Sequence, residues 1–173
     1  MATAISRPPR RTTGSRSTAS KAAASQAIVA SSRCAVQVFP TELGWMAIVG
    51  RNGRLVRLAF GHPSAAAAWA EFPERAELVS HRWNPTLERG LRDFAAGKKI
   101  DFRDVQLELS DLPPFTLRVI QACRRVGYAQ VSSYAELAAK AGSPRAARAV
   151  GNVMRTNRWP LIVPCHRILA AGR

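Results

Sequence analysis

The sequence predicts an α+β protein, with a small N-terminal antiparallel-sheet unit followed by a mainly helical one. Three observations carry that expectation. From Cys34 to Phe60 the chain runs in short apolar stretches broken by turn signals. Beyond Asp111-Leu112-Pro113-Pro114 its apolar residues recur three to four apart. The strands and the helices come in separate blocks, which favours α+β over a parallel α/β sheet.

Residues 1–32 are Ser, Thr, Ala, Arg and Pro with few large apolar side chains, and read as a disordered basic arm. The start also resembles a transit peptide in composition and has no h-region for secretion. Residues 33–111 form the first folded unit. Ala35 to Phe39 and Trp45 to Val49 are candidate strands parted by Pro40 and Gly44. Asn52-Gly53 accepts the positive φ of a tight hairpin turn, and Leu55, Val56, Leu58 and Phe60 make the returning strand. Residues 64–72, rich in Ala, suit a helix, as does Pro85 to Ala96 with Leu87, Leu91, Phe94 and Ala95 on one face. Val105, Leu107 and Leu109 alternate and predict one more strand.

The boundary falls at 111–114, and residues 112–173 form the second unit. Phe115 to Arg125 carries Val119, Ile120 and Cys123 at helical spacing. Ser133-Tyr134-Ala135-Glu136 has the form of a capping box. Gly142 stops that helix, and Ser143-Pro144 predicts the start of another, with serine as cap and proline in the first turn. Two short helices across so brief a turn make a helix-turn-helix, here of winged type. On the second helix Ala147, Val150 and Met154 share one side, while Arg148, Asn152 and Arg155 share another. The polar side suits a groove of nucleic acid, and equally a solvated surface. Asn157 and Pro160 end the helix and lead into a strand-like run, Leu161-Ile162-Val163.

Charge narrows the partners. Lys and Arg total 26 against 11 Asp and Glu, a formal net charge of +15. Such an excess favours a polyanion, nucleic acid first and an acidic membrane surface second. No apolar run approaches the roughly 18 residues of a membrane span. Three cysteines without a CxxC pair argue against a disulfide scaffold or zinc ribbon and fit a reducing compartment. Cys34, His62 and His81 lie at no recognisable ligand spacing, so no metal is expected.

The chemistry gathers in Val163-Pro164-Cys165-His166-Arg167. A cysteine after an apolar run is more often a packed core residue, and Cys123 reads that way. At Cys165, however, Pro164 breaks the run and polar residues follow. Cationic neighbours raise a thiol's thiolate fraction, and the thiolate is the nucleophile. In an extended chain His166 would point away from the Cys165 sulfur and act through a water. The alternatives are a histidine satisfied by backbone and an Arg167 in a buried salt bridge.

Arg148-Ala149-Val150-Gly151-Asn152, then Met154-Arg155, Asn157, and Pro160 through Arg167, resemble the signature of the O6-alkylguanine-DNA alkyltransferases. The resemblance runs from Phe115 to Ile168, and more loosely through Leu43-Gly44-Trp45 and Asp93 to Asp104. It implies DNA repair by direct, irreversible transfer of an alkyl group from O6-alkylguanine, and by extension O4-alkylthymine, to Cys165. His166 would hold a water that relays the thiol proton. Tyr134 would crowd the target phosphate and help protonate the departing guanine. Arg148 would fill the space of the flipped base, with Ala147, Asn152, Arg155 and Ser133 also at the DNA and Asn157 at the hinge between recognition helix and active site. Met154, Pro160 and Ile168 would wall the base pocket. Small Ala146, Ala147 and Gly151 would allow close approach to the minor groove.

The family's usual Ile-Pro-Tyr-Gly stands here as Val126-Gly127-Tyr128-Ala129. Its glycine-rich lid, the glutamate that orients the histidine and its last helix are expected beyond Arg173, which reads as a C-terminal truncation. The implied protein is a single-turnover suicide enzyme without cofactor. It would act as a monomer on double-stranded DNA carrying O6-alkylguanine, with no membrane partner, in the cytoplasm (nucleoid-associated) or the nucleus. The alternative is a degenerate or alkyltransferase-like protein that recognises DNA without transfer because the C-terminal pocket is missing. A third reading is a general basic nucleic-acid protein with a structural cysteine, whose binding depends on salt but not on lesions.

Overall fold

Strand β1 (Ala35–Thr41) turns through Glu42-Leu43 into β2 (Gly44–Arg51), pairing antiparallel from Ala35 opposite Gly50 to Thr41 opposite Gly44. Strand β3 (Arg54–His62) returns antiparallel across Asn52 and Gly53, both at positive φ (52° and 74°) as the tight hairpin turn requires. The chain is seen here as a computed structural model that describes residues 34–72 and 77–170. The basic arm expected at 1–32 lies outside them.

The sheet has the order β3-β2-β1-β4, and its edge strand β4 (Val79–Ser80) runs parallel to β1. Two residues of β4 are too few to leave a periodic signal in the sequence. The rest of the sheet is antiparallel, so the molecule is α+β as the sequence predicts.

Strand β2 reads as a continuous apolar run because both of its faces are covered. Met46 and Ile48 face the main core, while Ala47 and Val49 face a smaller cluster with Val36, Ala59, Ala68 and Phe72. Helix α1 (Ala65–Ala70), capped by Ser64 Oγ on the Ala67 amide, covers that second face. Gly50 is obligatory there: an ideal Cβ on it would fall 2.3 Å from the Trp83 ring.

Helix α2 (Pro85–Ala95) starts with Asn84 as cap and buries Leu87 and Leu91. It is tied to β1 by a buried carboxylate. Glu88 accepts from Gln37 Nε2 (2.5 Å), Arg82 Nε (2.9 Å) and Arg92 Nε (3.0 Å). Burial pushes the Glu88 carboxyl up, but the two arginines outweigh it and hold it below the usual value.

The strand expected over Val105–Leu109 does not form. Only Leu107 bridges, opposite Leu55, through Leu55 N–H to Gln106 O (2.8 Å) and Glu108 N–H to Leu55 O (2.9 Å). The carbonyls that precede it are taken by a side chain: Arg124 Nη2 donates to Phe102, Arg103 and Val105. The alternation therefore marks burial of Leu107, not a ladder.

Helix α3 (Pro114–Arg124) buries Val119, Ile120 and Cys123. Helix α4 (Tyr134–Lys140) follows β5 (Ser132–Ser133), and α5 (Ala147–Arg155) follows α4. The main core takes residues from both sides of 111–114: Phe39, Ile48, Leu55 and Leu58 pack in one cluster with Val119, Leu137, Val150 and Trp159. The described residues accordingly form one compact unit.

Candidate active site

The helix pair comes first. Ser133 Oγ accepts from the Glu136 amide (3.1 Å) and the Glu136 carboxylate accepts from the Ser133 amide (2.9 Å), so the capping box of α4 is complete. Ser132 Oγ also donates to Glu136 (2.9 Å). The Ser133 amide hydrogen bond, the largest cause, and Ser132 together hold that carboxyl below its ordinary value. At the other end Gly142, at φ 73°, sends its amide to Ala139 O while Ser143 sends its own to Ala138 O (both 2.9 Å). This Schellman closure needs the glycine's left-handed backbone.

The next helix does not begin at Ser143-Pro144. Ser143 O accepts from Ala146 N–H (2.9 Å), which makes a turn with proline at its second position, and α5 starts at Ala147 with no side-chain cap. The connection between the helices is longer than the sequence suggests. The faces of α5 fall as expected. Val150 and Met154 are buried, whereas Arg148, Asn152 and Arg155 are exposed, with Arg145 exposed just before the helix. Ala147 is half-buried.

The segment from Asn157 to Pro164 is a buried turn rather than a strand. Val163 N–H reaches back to Trp159 O (2.8 Å), Cys165 N–H bonds to Val163 O (2.8 Å), and Leu161 stands at φ 71°. Asn157 closes the turn from inside: its Nδ2 donates to Val163 O (2.9 Å) and its Oδ1 accepts from Trp159 N–H (3.0 Å). An apolar sequence is compatible with strand or turn, and the asparagine clamp decides for the turn.

Trp159, which the sequence reading passed over, anchors the turn to the sheet. It is almost fully buried, and its Nε1 donates to Leu55 O (2.8 Å). Beside it Leu58 N–H bonds to Arg158 O (2.9 Å), and Arg158 forms a two-pronged pair with Asp111 at 2.8 Å on each prong. The available signal was a tryptophan within an apolar run next to a proline, which marks a buried aromatic but not its partner.

Cys165-His166-Arg167 then form a single 3-10 turn, not the extended chain expected, so the rule of opposite-pointing neighbours does not apply. Cys165 is half-buried and packs on the core, and His166 is exposed. Although the residue as a whole is exposed, desolvation of its ring by the surrounding protein, and secondarily Arg167, push the His166 imidazole below its ordinary 6.5. Arg167 has no carboxylate in its described contacts. It donates to Val126 O (3.1 Å) and its guanidinium lies 6.0 Å from the Tyr128 ring centre. Cys123 lies in the core below, its thiol pushed up to about 12 by burial and secondarily by Cys165.

After the 3-10 turn, β6 (Ile168–Leu169) pairs parallel with β5, Ile168 opposite Ser132 and Leu169 opposite Ser133. The start of α4, with half-buried Tyr134, is thereby tied to the chain that has just passed through Cys165. Met154 and Ile168 are buried in the main core and Pro160 is half-buried. A cavity of about 370 Å³ lies against Pro164 and Arg167, but Cys165 does not line it. Among the described residues no group of three or more His, Cys, Asp or Glu could hold a metal.

Residues 114–173 match the family model described as 6-O-methylguanine DNA methyltransferase, DNA binding domain. The chain is 35% identical over 133 residues to the constitutive methylated-DNA–protein-cysteine methyltransferase of Bacillus subtilis, covering 75% of this chain and 76% of the relative. It is 37% identical over 143 residues to the mouse (Mus musculus) methylated-DNA–protein-cysteine methyltransferase, covering 76% and 68%. Its fold matches the crystal structure of Mycobacterium tuberculosis OGT in complex with DNA at a TM-score of 0.65, with 28% identity over 79% of each chain. With the Cys165 turn and the helix pair inside residues 114–173, and with a relative 35% identical over three-quarters of both chains, the chain belongs to the methylated-DNA–protein-cysteine methyltransferase family.

Proposed function

We propose that this protein repairs DNA by moving the alkyl group of O6-alkylguanine onto Cys165, once per molecule, acting as a monomer on double-stranded DNA. The carrying observation is the placement of Cys165. It is half-buried at the mouth of a turn clamped by Asn157, ten residues beyond a helix that exposes Arg148, Asn152 and Arg155. A base in a duplex stack is out of reach of such a thiol and has to be flipped out, at a cost of a few kcal/mol. Arg148 offsets part of that cost by filling the vacated space with a planar cation.

In the reaction the Cys165 sulfur attacks the alkyl carbon, a C–S bond forms and the C–O6 bond breaks. The thiol proton passes through a water held by His166, and the departing guanine is protonated with help from the Tyr134 hydroxyl. A neutral imidazole is needed to accept that proton, and the lowered His166 pKa keeps it neutral at pH 7. Met154, Pro160 and Ile168 wall the base. The product thioether has no good leaving group, so the protein is spent.

Intact-mass spectrometry after incubation with a duplex holding one O6-methylguanine tests this reading. One added methyl per protein, located on Cys165 by peptide mapping and absent in Cys165→Ser, is expected. Folded protein that binds the duplex yet stays unmodified would overturn it.

A further inference from the structure

The cavity of about 370 Å³ beside Pro164 is unlike its surroundings in charge and exposure. Four cations line it, Lys99, Arg103, Arg124 and Arg167, against one acid, Asp101. Arg103 is neutralised by Asp101, to which its Nε donates at 2.7 Å. Lys99 and Arg167 make no salt bridge among the described residues, while Arg124 feels Asp104 and Asp101 at longer range. Tyr128 also lines it and is 55% exposed, an unusual position for an aromatic ring. Two cations already lie against that ring: Lys99 Nζ at 5.5 Å and the Arg167 guanidinium at 6.0 Å.

Arg124 sets a fixed positive charge in the cavity wall. Its Nη2 is fixed by three backbone carbonyls, so the guanidinium cannot swing out to solvent. Its Nε is nevertheless buried and has no acceptor. Nε has essentially no accessible surface, so a ligand in the cavity meets Arg124 as a fixed positive charge and not through that donor. A fixed arginine, a lysine and an exposed ring in one concave site are parts with which proteins hold phosphate and stack a base. The volume falls within the range of small-ligand pockets, about 300–1,000 Å³.

We propose that this cavity binds a nucleotide, with the base stacked on Tyr128 and the phosphate held between Lys99 and Arg124. No residue of α4 or α5, and neither Cys165 nor His166, lines it. Pro164 and Arg167, which flank Cys165 and His166, do line it, so the site adjoins the proposed transfer centre without containing its residues. Its ligand is either a free nucleotide or an unpaired nucleotide within a strand.

The test is a titration of the 15N-labelled full chain followed by NMR through backbone amides and arginine Nε–Hε signals, with three probes: inorganic phosphate, dTMP and the single strand d(TTTT). Saturable shifts from dTMP at Gly127, Tyr128 and the Arg124 Nε–Hε are expected, with phosphate alone binding more weakly. Tyr128→Ala should weaken dTMP at least about tenfold and Tyr128→Phe should leave it unchanged, because the ring and not the hydroxyl supplies stacking. Tyr128 is exposed, so both variants keep the core, which a thermal melt verifies. Comparable binding of d(TTTT) assigns the site to a strand, and its failure beside dTMP binding assigns it to free nucleotides. Shifts confined to α5, phosphate binding as tightly as dTMP, or a Tyr128→Ala variant that binds like the parent would overturn the proposal.

Discussion

Two cysteines of this chain, Cys123 and Cys165, meet opposite environments. Cys123 is sealed in the core and its thiol is pushed up to about 12, chiefly by burial, so it stays protonated at any ordinary pH. Cys165 sits half-exposed on the 3-10 turn. A thiol reagent such as iodoacetamide should modify Cys165 in the folded protein and reach Cys123 only after denaturation, as peptide mapping would record. His166 adds a pH dependence. Burial, and then Arg167, leave the folded imidazole holding its proton less tightly than the unfolded one. Acid therefore favours the unfolded chain: the contribution of His166 to stability is complete above its ordinary 6.5 and is lost as pH falls through the lowered folded value. The transfer rate should fall over the same window as the imidazole protonates, while duplex binding persists. A titration of the His166 ring by NMR with a midpoint at or above 6.5 would contradict both statements.

At the scale of elements, the turn that carries Cys165 depends on one side chain. Asn157 satisfies Val163 O and Trp159 N–H within the turn that delivers Cys165. Its removal leaves two polar backbone groups in a partly buried site, each costing about 1–2 kcal/mol. Asn157→Ala should therefore lower stability by about 2–3 kcal/mol, read as a shift in denaturant midpoint, and slow transfer more than it weakens DNA binding. Asn157→Asp keeps the acceptor for Trp159 N–H but sets a carboxylate oxygen against Val163 O, so it should lose at least as much stability. The helix pair has its own specification in the Ser133–Glu136 box and the Gly142 closure. There the sequence was legible, because caps are local chemistry read over four residues.

For the whole molecule, the sheet supports the helical part directly. Trp159 is buried against β3 with its Nε1 on Leu55 O, and the main core joins residues from both sides of 111–114. Trp159→Ala would empty a large site and leave the Leu55 carbonyl without that donor, a loss of about 3–5 kcal/mol. Chemical denaturation should show that loss, with Trp159→Phe intermediate. By the same packing, a fragment of residues 112–173 made alone should lack cooperative unfolding and bind hydrophobic dyes. A cooperative melt of that fragment would mean that the shared core is dispensable.

The sequence by itself determined what is local or chemical: the Asn-Gly hairpin, the Ser133 cap and Gly142 stop of α4, the buried and exposed faces of α5, and a cysteine released from an apolar run by Pro164. These follow from backbone propensity and periodicity, which act over a few neighbours. The tertiary structure decided the rest. It made Leu161–Val163 a turn because Asn157 reaches across six residues, and reduced Val105–Leu109 to one bridge because Arg124 takes the preceding carbonyls. It also brought Tyr134 to the chain of Cys165 by pairing Ser132 with Ile168. Each of these rests on partners distant in sequence, and an apolar pattern records that a residue is buried, not what it is buried against.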